Sequence, residues 1–487
     1  MFTSLLDFLI VILITIPFMG LLGKKLGKEK EITLTYTALG LISSIFLVLL
    51  QYSSFLFHIR PPTLVLCFPS PEAASFEVTN ASMFMVLLFL IVGTASTVFS
   101  YNEQSSNSTG FYTIITALIM GLVGLALLGD LITLFIFWEI MCLSSYALVA
   151  FKRQSAESIE ASYKYLIMSG AGTITILFAF SLIYGMTGTL NLVNLSLIIG
   201  LESNPFFNVT IVMLIVGFGL QAAMFPFHTW LPDAHTAAPS SISAILSGVV
   251  VVAGVLGLLK TLFLIFPSSY PIWSVMLLVF SVFTMFIGNL SALLQDDLKR
   301  LLAYSTMANL GYILFGLAVG TEYAITGSLF HILNHGIIKA LLFLCVGSII
   351  YKTKTRSLNS LSGIRHAMPF TSAILLIGLI SLASIPPLNI FWSELLIINA
   401  GLEAGKGIFS FIMVLNMLLS AGYCLRIIQT IAIKPASSIT KNVSEAPRSM
   451  LIVMASLIAF SIIIGIYPSP FQNLSEIAAS TFNNINF

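Results

Sequence analysis

Runs of about 20 apolar residues recur along this chain from end to end, and they constrain its fold more than any other feature. Each run is long enough to cross roughly 30 Å of hydrocarbon as an α-helix. Of the 487 residues, 58% are hydrophobic and 8% are charged, whereas a soluble domain carries roughly 25% charged residues. The sequence therefore predicts an all-α integral membrane protein with a single transmembrane domain over residues 1–487.

Hydropathy and loop residues together predict fourteen membrane-crossing helices. Their predicted bounds are 4–23, 32–57, 81–101, 111–128, 131–151, 160–185, 207–225, 240–266, 272–294, 299–320, 323–350, 370–400, 407–431 and 449–467. No basic segment precedes the first apolar run and no small-residue cleavage site follows it, so we expect a retained helix and not a cleaved signal.

The positions of Lys and Arg predict which side of the membrane each loop faces, because cytoplasmic loops collect basic residues. When the loop after the first span is placed in the cytoplasm, seventeen of the 21 Lys and Arg fall on that side: Lys24, Lys25, Lys28, Lys30, Lys152, Arg153, Lys164, Lys299, Arg300, Lys352, Lys354, Arg356, Arg365, Arg426, Lys434, Lys441 and Arg448. We therefore expect a multi-pass protein of the cell membrane with both termini on the outer, periplasmic or extracellular, side.

Several classes of site find no support in the sequence. The four cysteines are far apart and form no C-x-x-C pair, so they indicate neither a disulfide framework nor an iron–sulfur or zinc site. A net charge of +2 is too small to indicate a nucleic-acid partner. The apolar spans contain no nucleotide-binding loop and no Ser-His-Asp order. We expect no cofactor, no metal and no catalytic residue in this chain.

Prolines interrupt two predicted spans that lie five helices apart. The seventh span runs into GLQAAMFPFHTWLPDAH at 219–235, and the twelfth contains SIPPLNIFWSE at 384–394. Paired interruptions of this kind point to inverted repeats with a site at each break. Backbone groups freed at membrane depth are tolerated where protein or a water-filled cavity satisfies them. We therefore predict an internal hydrated path beside the residues of these motifs: Pro226, His228, Pro232, Asp233, His235, Pro386 and Pro387.

Glu139 lies near the middle of the fifth span, in LFIFWEIMCLSSY. A charge at that depth costs from about 3 to more than about 10 kcal/mol. The position favours an ion or proton site. The alternative is a neutral carboxyl that forms a hydrogen bond between helices.

His331, His335 and Lys339 recur at four-residue spacing in the eleventh span. This spacing places three titratable groups on one helix face, where neighbours can relay protons. The alternatives are a structural polar seam and a zinc site, but no third metal ligand accompanies the two histidines.

Two further ionisable residues have two interpretations each. Glu394 follows the break in the twelfth span and belongs either to a proton path or to the N-terminus of the second half-helix, whose dipole a carboxylate stabilises. Lys260 lies in the outer third of the eighth span and either joins the path or extends its side chain to the membrane surface.

Four motifs and the broken twelfth span resemble features of the antiporter-like membrane subunits shared by respiratory complex I, multisubunit Na⁺/H⁺ antiporters, archaeal reduced-deazaflavin dehydrogenases and membrane-bound energy-converting hydrogenases. The motifs are FWEIMCLSSY at 137–146, FPFHTWLPDAHTAAP at 225–239, DLKRLLAYST at 297–306 and FHILNHGIIKALLFL at 330–344. The resemblance spans residues 80–430 in order. It implies fourteen helices with two inverted five-helix repeats, at 111–266 and 272–431, between N-terminal helices (1–110) and a C-terminal helix and tail (449–487).

The resemblance also implies roles for the ionisable residues. Glu139 matches the family's helix-5 glutamate, and His331 and His335 match its central relay histidines. Lys339 matches the helix-11 lysine, and Glu394 matches the helix-12 lysine or glutamate of the outer half-channel.

The chain departs from the family pattern at two positions. The lysine usual in helix 7, five residues before the proline, is replaced by Gln221, and the lysine usual in helix 8 is replaced by Val252. Without a cationic partner, Glu139 should be mostly protonated, with Gln221 as a candidate hydrogen-bond partner. Protons then pass by water and Glu139 alone in this half, or the subunit is a coupling element or scaffold.

These observations predict an antiporter-like, proton-translocating subunit of a multisubunit redox-driven complex or Na⁺/H⁺ antiporter. Its partners would be other membrane subunits and, through them, a peripheral redox arm, with protons and Na⁺ as the candidate ions. The chain itself would hold no redox centre. Two alternatives stay open: a non-conducting structural subunit of such a complex, and a stand-alone secondary solute transporter.

Replacing the Glu139 carboxyl tests the expected protonation directly. In infrared difference spectra, Glu139→Gln should remove a protonated-carboxyl band, because the native side chain lacks a cation that would keep it ionised. An unchanged spectrum would contradict a protonated Glu139.

Overall fold

A computed structural model of the protein describes residues 3–56, 76–104, 108–151, 155–201, 205–266 and 271–483. These residues form nineteen α-helices and no β-strand. The helices are α1 (Thr3–Lys25), α2 (Glu29–Leu56), α3 (Asn80–Glu103), α4 (Ser108–Leu127), α5 (Leu131–Val149), α6 (Ala156–Thr187), α7 (Leu192–Leu201), α8 (Phe206–Gln221), α9 (Trp230–Ala237), α10 (Ser240–Ile245), α11 (Val251–Leu258), α12 (Ile272–Leu294), α13 (Leu298–Val319), α14 (Glu322–Thr353), α15 (Pro369–Leu382), α16 (Asn389–Glu403), α17 (Gly407–Ile428), α18 (Arg448–Ile466) and α19 (Ser469–Asn483). The all-α prediction is confirmed.

Twelve helical segments among the described residues are long and apolar enough to cross a membrane, or thirteen when one strongly bent pair counts as a single span. Each of the twelve overlaps a predicted crossing. The seventh predicted crossing corresponds to α8, with α9 following beyond its predicted end, and the twelfth is divided into α15 and α16. The count of fourteen crossings and the inverted repeats remain predictions. Three helices lie outside the predicted crossings, namely α7, α9 and the C-terminal α19.

The two breaks share one backbone conformation. In each, the second residue after the helix end has a positive φ, +49° at Ala223 and +59° at Ser384. A cis peptide bond to proline then follows at Pro226 and at Pro387. Pro226 and Pro387 follow the last residue of the preceding helix, Gln221 and Leu382, by the same number of residues, so both spans are interrupted in the same way.

Protein groups satisfy the backbone atoms that each break frees. At the first break, the Trp230 indole donates to the carbonyl oxygen of Leu220 at 2.9 Å, and the Phe225 amide donates to the Thr284 hydroxyl at 3.1 Å. At the second, the Asn334 side chain donates to the carbonyl oxygen of Asn389 at 2.9 Å. Backbone polar groups without partners are costly in hydrocarbon, so these bonds make the breaks tolerable at membrane depth.

Helix α14 forms the centre of the bundle. It has 32 residues, and residues 324–349 are all buried. It packs against α3, α10, α13, α15, α16, α18 and α19. The side chains of α14 therefore meet other helices on every face, and its polar groups depend on those helices or on internal water for partners.

The eighth predicted span is an irregular helix. Its α-helical parts, α10 and α11, are followed by π-helical segments at Leu246–Val250 and Leu259–Phe263. Such segments are frequent at functional sites. The first one touches α14, because a Cβ added to Gly248 would lie 2.9 Å from the carbonyl oxygen of Gly336. Glycine at this contact allows the π segment to reach the backbone of α14 beside His335.

Candidate functional site

The predicted row of titratable residues on α14 is present and fully buried. His331, His335 and Lys339 are each 0% exposed. The centroids of the two imidazole rings lie 6.3 Å apart. The row therefore runs along the bundle axis, one turn of α14 per residue.

His331 bonds to two neighbouring helices. Its Nδ1 lies 3.0 Å from the Ser393 hydroxyl on α16, and its Nε2 lies 3.2 Å from Oδ1 of Asn309 on α13. The Asn309 amide nitrogen donates to the carbonyl oxygen of Ser305 at 2.8 Å, so Oδ1 is the atom that faces the ring. An amide oxygen only accepts, and Nε2 is therefore the protonated nitrogen.

The Ser393 hydroxyl allows His331 to change its protonation state in place. Besides His331 Nδ1, it lies 2.9 Å from a second acceptor, the carbonyl oxygen of Ile390. When the imidazole is neutral, the hydroxyl donates to Nδ1. When Nδ1 carries a proton, the hydroxyl turns to Ile390 and accepts from the ring. Both charge states find hydrogen-bond partners without movement of heavy atoms.

His335 and Lys339 each have one partner in the part of the chain that the structure describes. The His335 Nε2 lies 3.3 Å from the carbonyl oxygen of Ser247 in the first π segment. Its Nδ1 has no hydrogen-bond partner among the described residues. The Lys339 ammonium donates to the Ser305 hydroxyl. An ammonium has three donor hydrogens, and so two of these remain for water.

Glu394 lies in the second turn of α16, buried next to Ser393. Its Oε2 has no hydrogen-bond partner among the described residues. The first turn of α16 contains no acidic residue, so the interpretation of Glu394 as a carboxylate at the helix N-terminus is wrong. Its neighbour in the chain, Ser393, is the residue of α16 that contacts His331.

Sequence reasoning missed the residues that hold α16 against α14. Asn334 and Asn389 form a pair of hydrogen bonds, at 2.9 Å through the Asn389 carbonyl oxygen and at 3.1 Å through the Asn334 side-chain oxygen. Ser381 and Ser461 also donate to the Asn389 side chain. The usable signal was an asparagine between the two histidines and another shortly after the proline pair.

Glu139 and Gln221 lie in the first half of the bundle and do not bond to each other. Glu139 is partly exposed on α5, beside Thr173, and shares its helix face with the exposed Ile136 and Leu143. The expected Glu139–Gln221 hydrogen bond is absent from the described contacts, because the Gln221 amide has other partners. The position expected of a second lysine, Val252, is buried in α11.

Gln221 belongs to a neutral hydrogen-bonded cluster. Its side-chain oxygen accepts from Ser169 at 2.9 Å, and its nitrogen donates to the Tyr165 hydroxyl at 2.8 Å. The Tyr165 ring stacks on Trp230 at a centroid distance of 4.0 Å. We name Ser169, Gln221, Tyr165 and Trp230 the Gln221 cluster. It fills the first break with groups that carry no charge at neutral pH.

Lys260 caps a helix. It is 4% exposed, and its ammonium donates to the carbonyl oxygens of Ala126 at 2.7 Å and Leu128 at 3.0 Å, at the end of α4. The place of this ammonium relative to the membrane surface stays a prediction. A cation at a helix C-terminus donates hydrogen bonds to carbonyl groups that lack a partner within the helix, and it is attracted by the negative end of the helix dipole.

The remaining motif residues are spread between the surface and the core. Asp233 forms ion pairs with Lys164 at 3.1 Å and Arg300 at 3.4 Å. His228 stacks on Phe225 at the first break. His235 is fully buried. Pro226 and Pro387 follow the two cis bonds, with Pro386 next to the second, and Pro232 lies in α9.

Comparisons with known proteins agree on one family. A family model described as "NADH:quinone oxidoreductase/Mrp antiporter, TM" matches residues 129–420. F(420)H(2) dehydrogenase subunit N of Methanosarcina mazei is 30% identical over 83% of this chain and 84% of its own length. A subunit of the Na(+)/H(+) antiporter of Alkalihalophilus pseudofirmus is 34% identical over 65% of this chain and 64% of its own.

Solved structures share the fold over nearly the whole chain. A chain of the archaeal membrane-bound sulfane sulfur reductase is 28% identical, with a TM-score of 0.91, and the match covers 99% of this chain and 97% of that one. A chain of the Mrp complex of Dietzia sp. has a TM-score of 0.87 at 22% identity, with 99% of both chains covered.

The contacts of His331 predict which nitrogen carries its proton. Neutral His331 should be the Nε2–H tautomer, and Asn309→Leu should shift it toward Nδ1–H, because Nε2 loses its acceptor while Ser393 still accepts from Nδ1. Nitrogen-15 NMR of histidine-labelled protein measures the change, with the exposed His366 as internal control. An unchanged His331 tautomer in the variant would contradict the assignment.

Proposed function

Since the chain belongs to the NADH:quinone oxidoreductase/Mrp antiporter family of membrane proteins, we propose that it translocates protons as an antiporter-like subunit of a multisubunit membrane complex. The row His331, His335 and Lys339 is the observation that carries the proposal. Three titratable groups stand one turn apart at the centre of the bundle. Each has a polar neighbour, and the partners of His331 accept both of its charge states. A polar row that only holds helices together does not require partners that accept both charge states of His331.

The path in this proposal runs from Lys339 through His335 and His331 to Glu394. Glu394 follows Ser393, the α16 contact of His331, in the chain, and we infer that water joins its carboxyl to this end of the row. The charge distribution of the loops supports a cytoplasmic position for the Lys339 end and an outer position for Glu394, with both termini outside the cell membrane.

The relatives support an assembly in preference to a stand-alone solute transporter. One similar protein is named as part of a dehydrogenase and another as part of a Na(+)/H(+) antiporter. We infer that this chain likewise works beside other membrane subunits. In a dehydrogenase or hydrogenase, a peripheral arm would carry the electrons, and this chain would hold no redox centre. In an antiporter, Na⁺ would be the counter-ion.

Loss of either end of the path tests the proposal. Lys339→Met and Glu394→Gln should each lower proton flux at least about tenfold, because each removes a group that takes up and releases the proton. The measurement is proton uptake by vesicles that contain the purified complex with its partner subunits.

Matched controls are Lys441→Met and Glu476→Gln, which make the same changes at exposed positions outside the row. Both should conduct like the wild type. Native flux in Lys339→Met and Glu394→Gln would contradict a proton path through α14.

The Gln221 cluster favours a second function, a non-conducting coupling or structural subunit. A neutral amide cannot exchange charge with the next site, and Val252 offers no charge either. Under this alternative the native complex moves no protons through this chain, and Lys339 and Glu394 contribute polar packing alone.

Restoring the missing cation separates the two functions. If the α14 row suffices, Gln221→Lys should leave proton flux within about twofold of the wild type. Gln221→Met is the control, since it disrupts the cluster without adding charge. Flux that appears only in Gln221→Lys would support the non-conducting alternative for the native protein.

A further inference from the structure

A cavity of about 480 Å³ opens into the bundle at the end that carries most of the Lys and Arg residues. We call it the vestibule. Its lining includes Glu103, Thr236, Lys299, Gly347, Tyr351 and Arg356. At its rim, Arg356 pairs with Glu157 and Asp297, both at 3.0 Å. The vestibule is wide enough for many water molecules and is lined largely by polar groups.

The row of α14 continues into this vestibule. After Lys339, the next positions at four-residue spacing are Phe343, Gly347 and Tyr351, and the last two line the cavity. Residues at this spacing lie one above the other on a helix. Phe343 is therefore the one position of the row between the Lys339 ammonium and the vestibule.

His235 lies against that position. Its ring stacks on Phe343 at a centroid distance of 4.8 Å and an interplanar angle of 18°. The side chain is fully buried, and neither ring nitrogen has a hydrogen-bond partner among the described residues. Burying two ring nitrogens without hydrogen-bond partners costs free energy. In such sites buried water usually forms the missing hydrogen bonds.

Lys299 connects His235 with the vestibule. Its buried ammonium lines the cavity and donates to the carbonyl oxygen of Ala238 at 2.7 Å and the Ser243 hydroxyl at 3.2 Å. The same hydroxyl donates to the carbonyl oxygen of His235 at 2.9 Å. Lys299 and Lys339 both lie close enough to His235 for their charges to act on its ring.

The charged groups on this route are separate from the first break. Lys299 is on α13, which also carries Ser305, the partner of Lys339. The Gln221 cluster on α6, α8 and α9 contributes neutral groups alone. A proton that reaches Lys339 from the vestibule need not cross that cluster.

We propose that protons enter through the vestibule and pass by Lys299 and His235 directly to Lys339, which bypasses the neutral Gln221 cluster. In this step one His235 nitrogen takes a proton that vestibule water delivers from the bulk, while the other nitrogen releases one to the neutral amine of Lys339, which has already passed its own proton to His335. The His235 ring therefore gains no net charge. Lys299 positions the site and sets its electrostatic field. The inference rests on the proposed proton transport and adds its uptake route.

The first test replaces the His235 imidazole by a ring that cannot carry a proton. His235→Phe keeps the stack on Phe343 and should lower proton flux in the vesicle-reconstituted complex at least about tenfold. His366→Phe, the same change at an exposed position, should conduct normally.

Lys339→Met, measured in parallel, separates the two claims. Low flux in Lys339→Met with native flux in His235→Phe would overturn the uptake route and leave the proposed function standing. Native flux in both variants would overturn the proposed function and the route together.

A second test avoids any change to the buried core, in case His235→Phe fails to assemble. Tyr351→Cys places a thiol in the vestibule lining, and a bulky membrane-impermeant thiol reagent added on that side should lower proton flux severalfold. Lys441→Cys, exposed but outside the lining, is the control and should be labelled without effect. Complete labelling of Tyr351→Cys with unchanged flux would overturn the route.

Discussion

The structure depends on one constraint: helix α14 is surrounded by protein and still carries two histidines and a lysine. Such groups cannot reach bulk water, so neighbouring helices must satisfy them. Asn309 and Ser305 on α13, Ser393 on α16 and the Ser247 carbonyl of a π segment do so. His335 and Lys339 keep hydrogen-bonding capacity for water, and the partners of His331 accept both of its charge states, which distinguishes a relay from a closed polar seam.

The irregular elements of the fold bring these partners into place. The π segment at Leu246–Val250 approaches α14 across a glycine contact and presents the Ser247 carbonyl to His335. The second break starts α16 inside the bundle, where the buried Asn389 forms hydrogen bonds with Asn334 on α14. Uninterrupted α-helices would use their carbonyl groups internally. The breaks and π segments therefore supply the polar surface that a regular bundle lacks.

The sequence predicted the twelve long apolar helices, both breaks and the row on α14, because apolar runs, prolines and four-residue spacing are local signals. It could not predict tertiary partners. From the sequence, Lys260 is a side chain that either joins the proton path or extends to the membrane surface. In the fold its ammonium donates to carbonyl oxygens at the end of α4. Gln221 was expected beside Glu139, but Ser169 and Tyr165, from a third helix, take its hydrogen bonds. The hydrogen-bond partners of a buried side chain depend on which helices pack together, and the hydropathy pattern contains no information about that packing.

If protons follow the α14 row, a high-resolution cryo-electron microscopy map of the assembled complex should show ordered water that joins the vestibule to His235, Lys339 and His335 and that continues past His331 to Glu394. The proposed transport depends on this hydrated path. Separate dry packing around these side chains, with no water density between them, would contradict it.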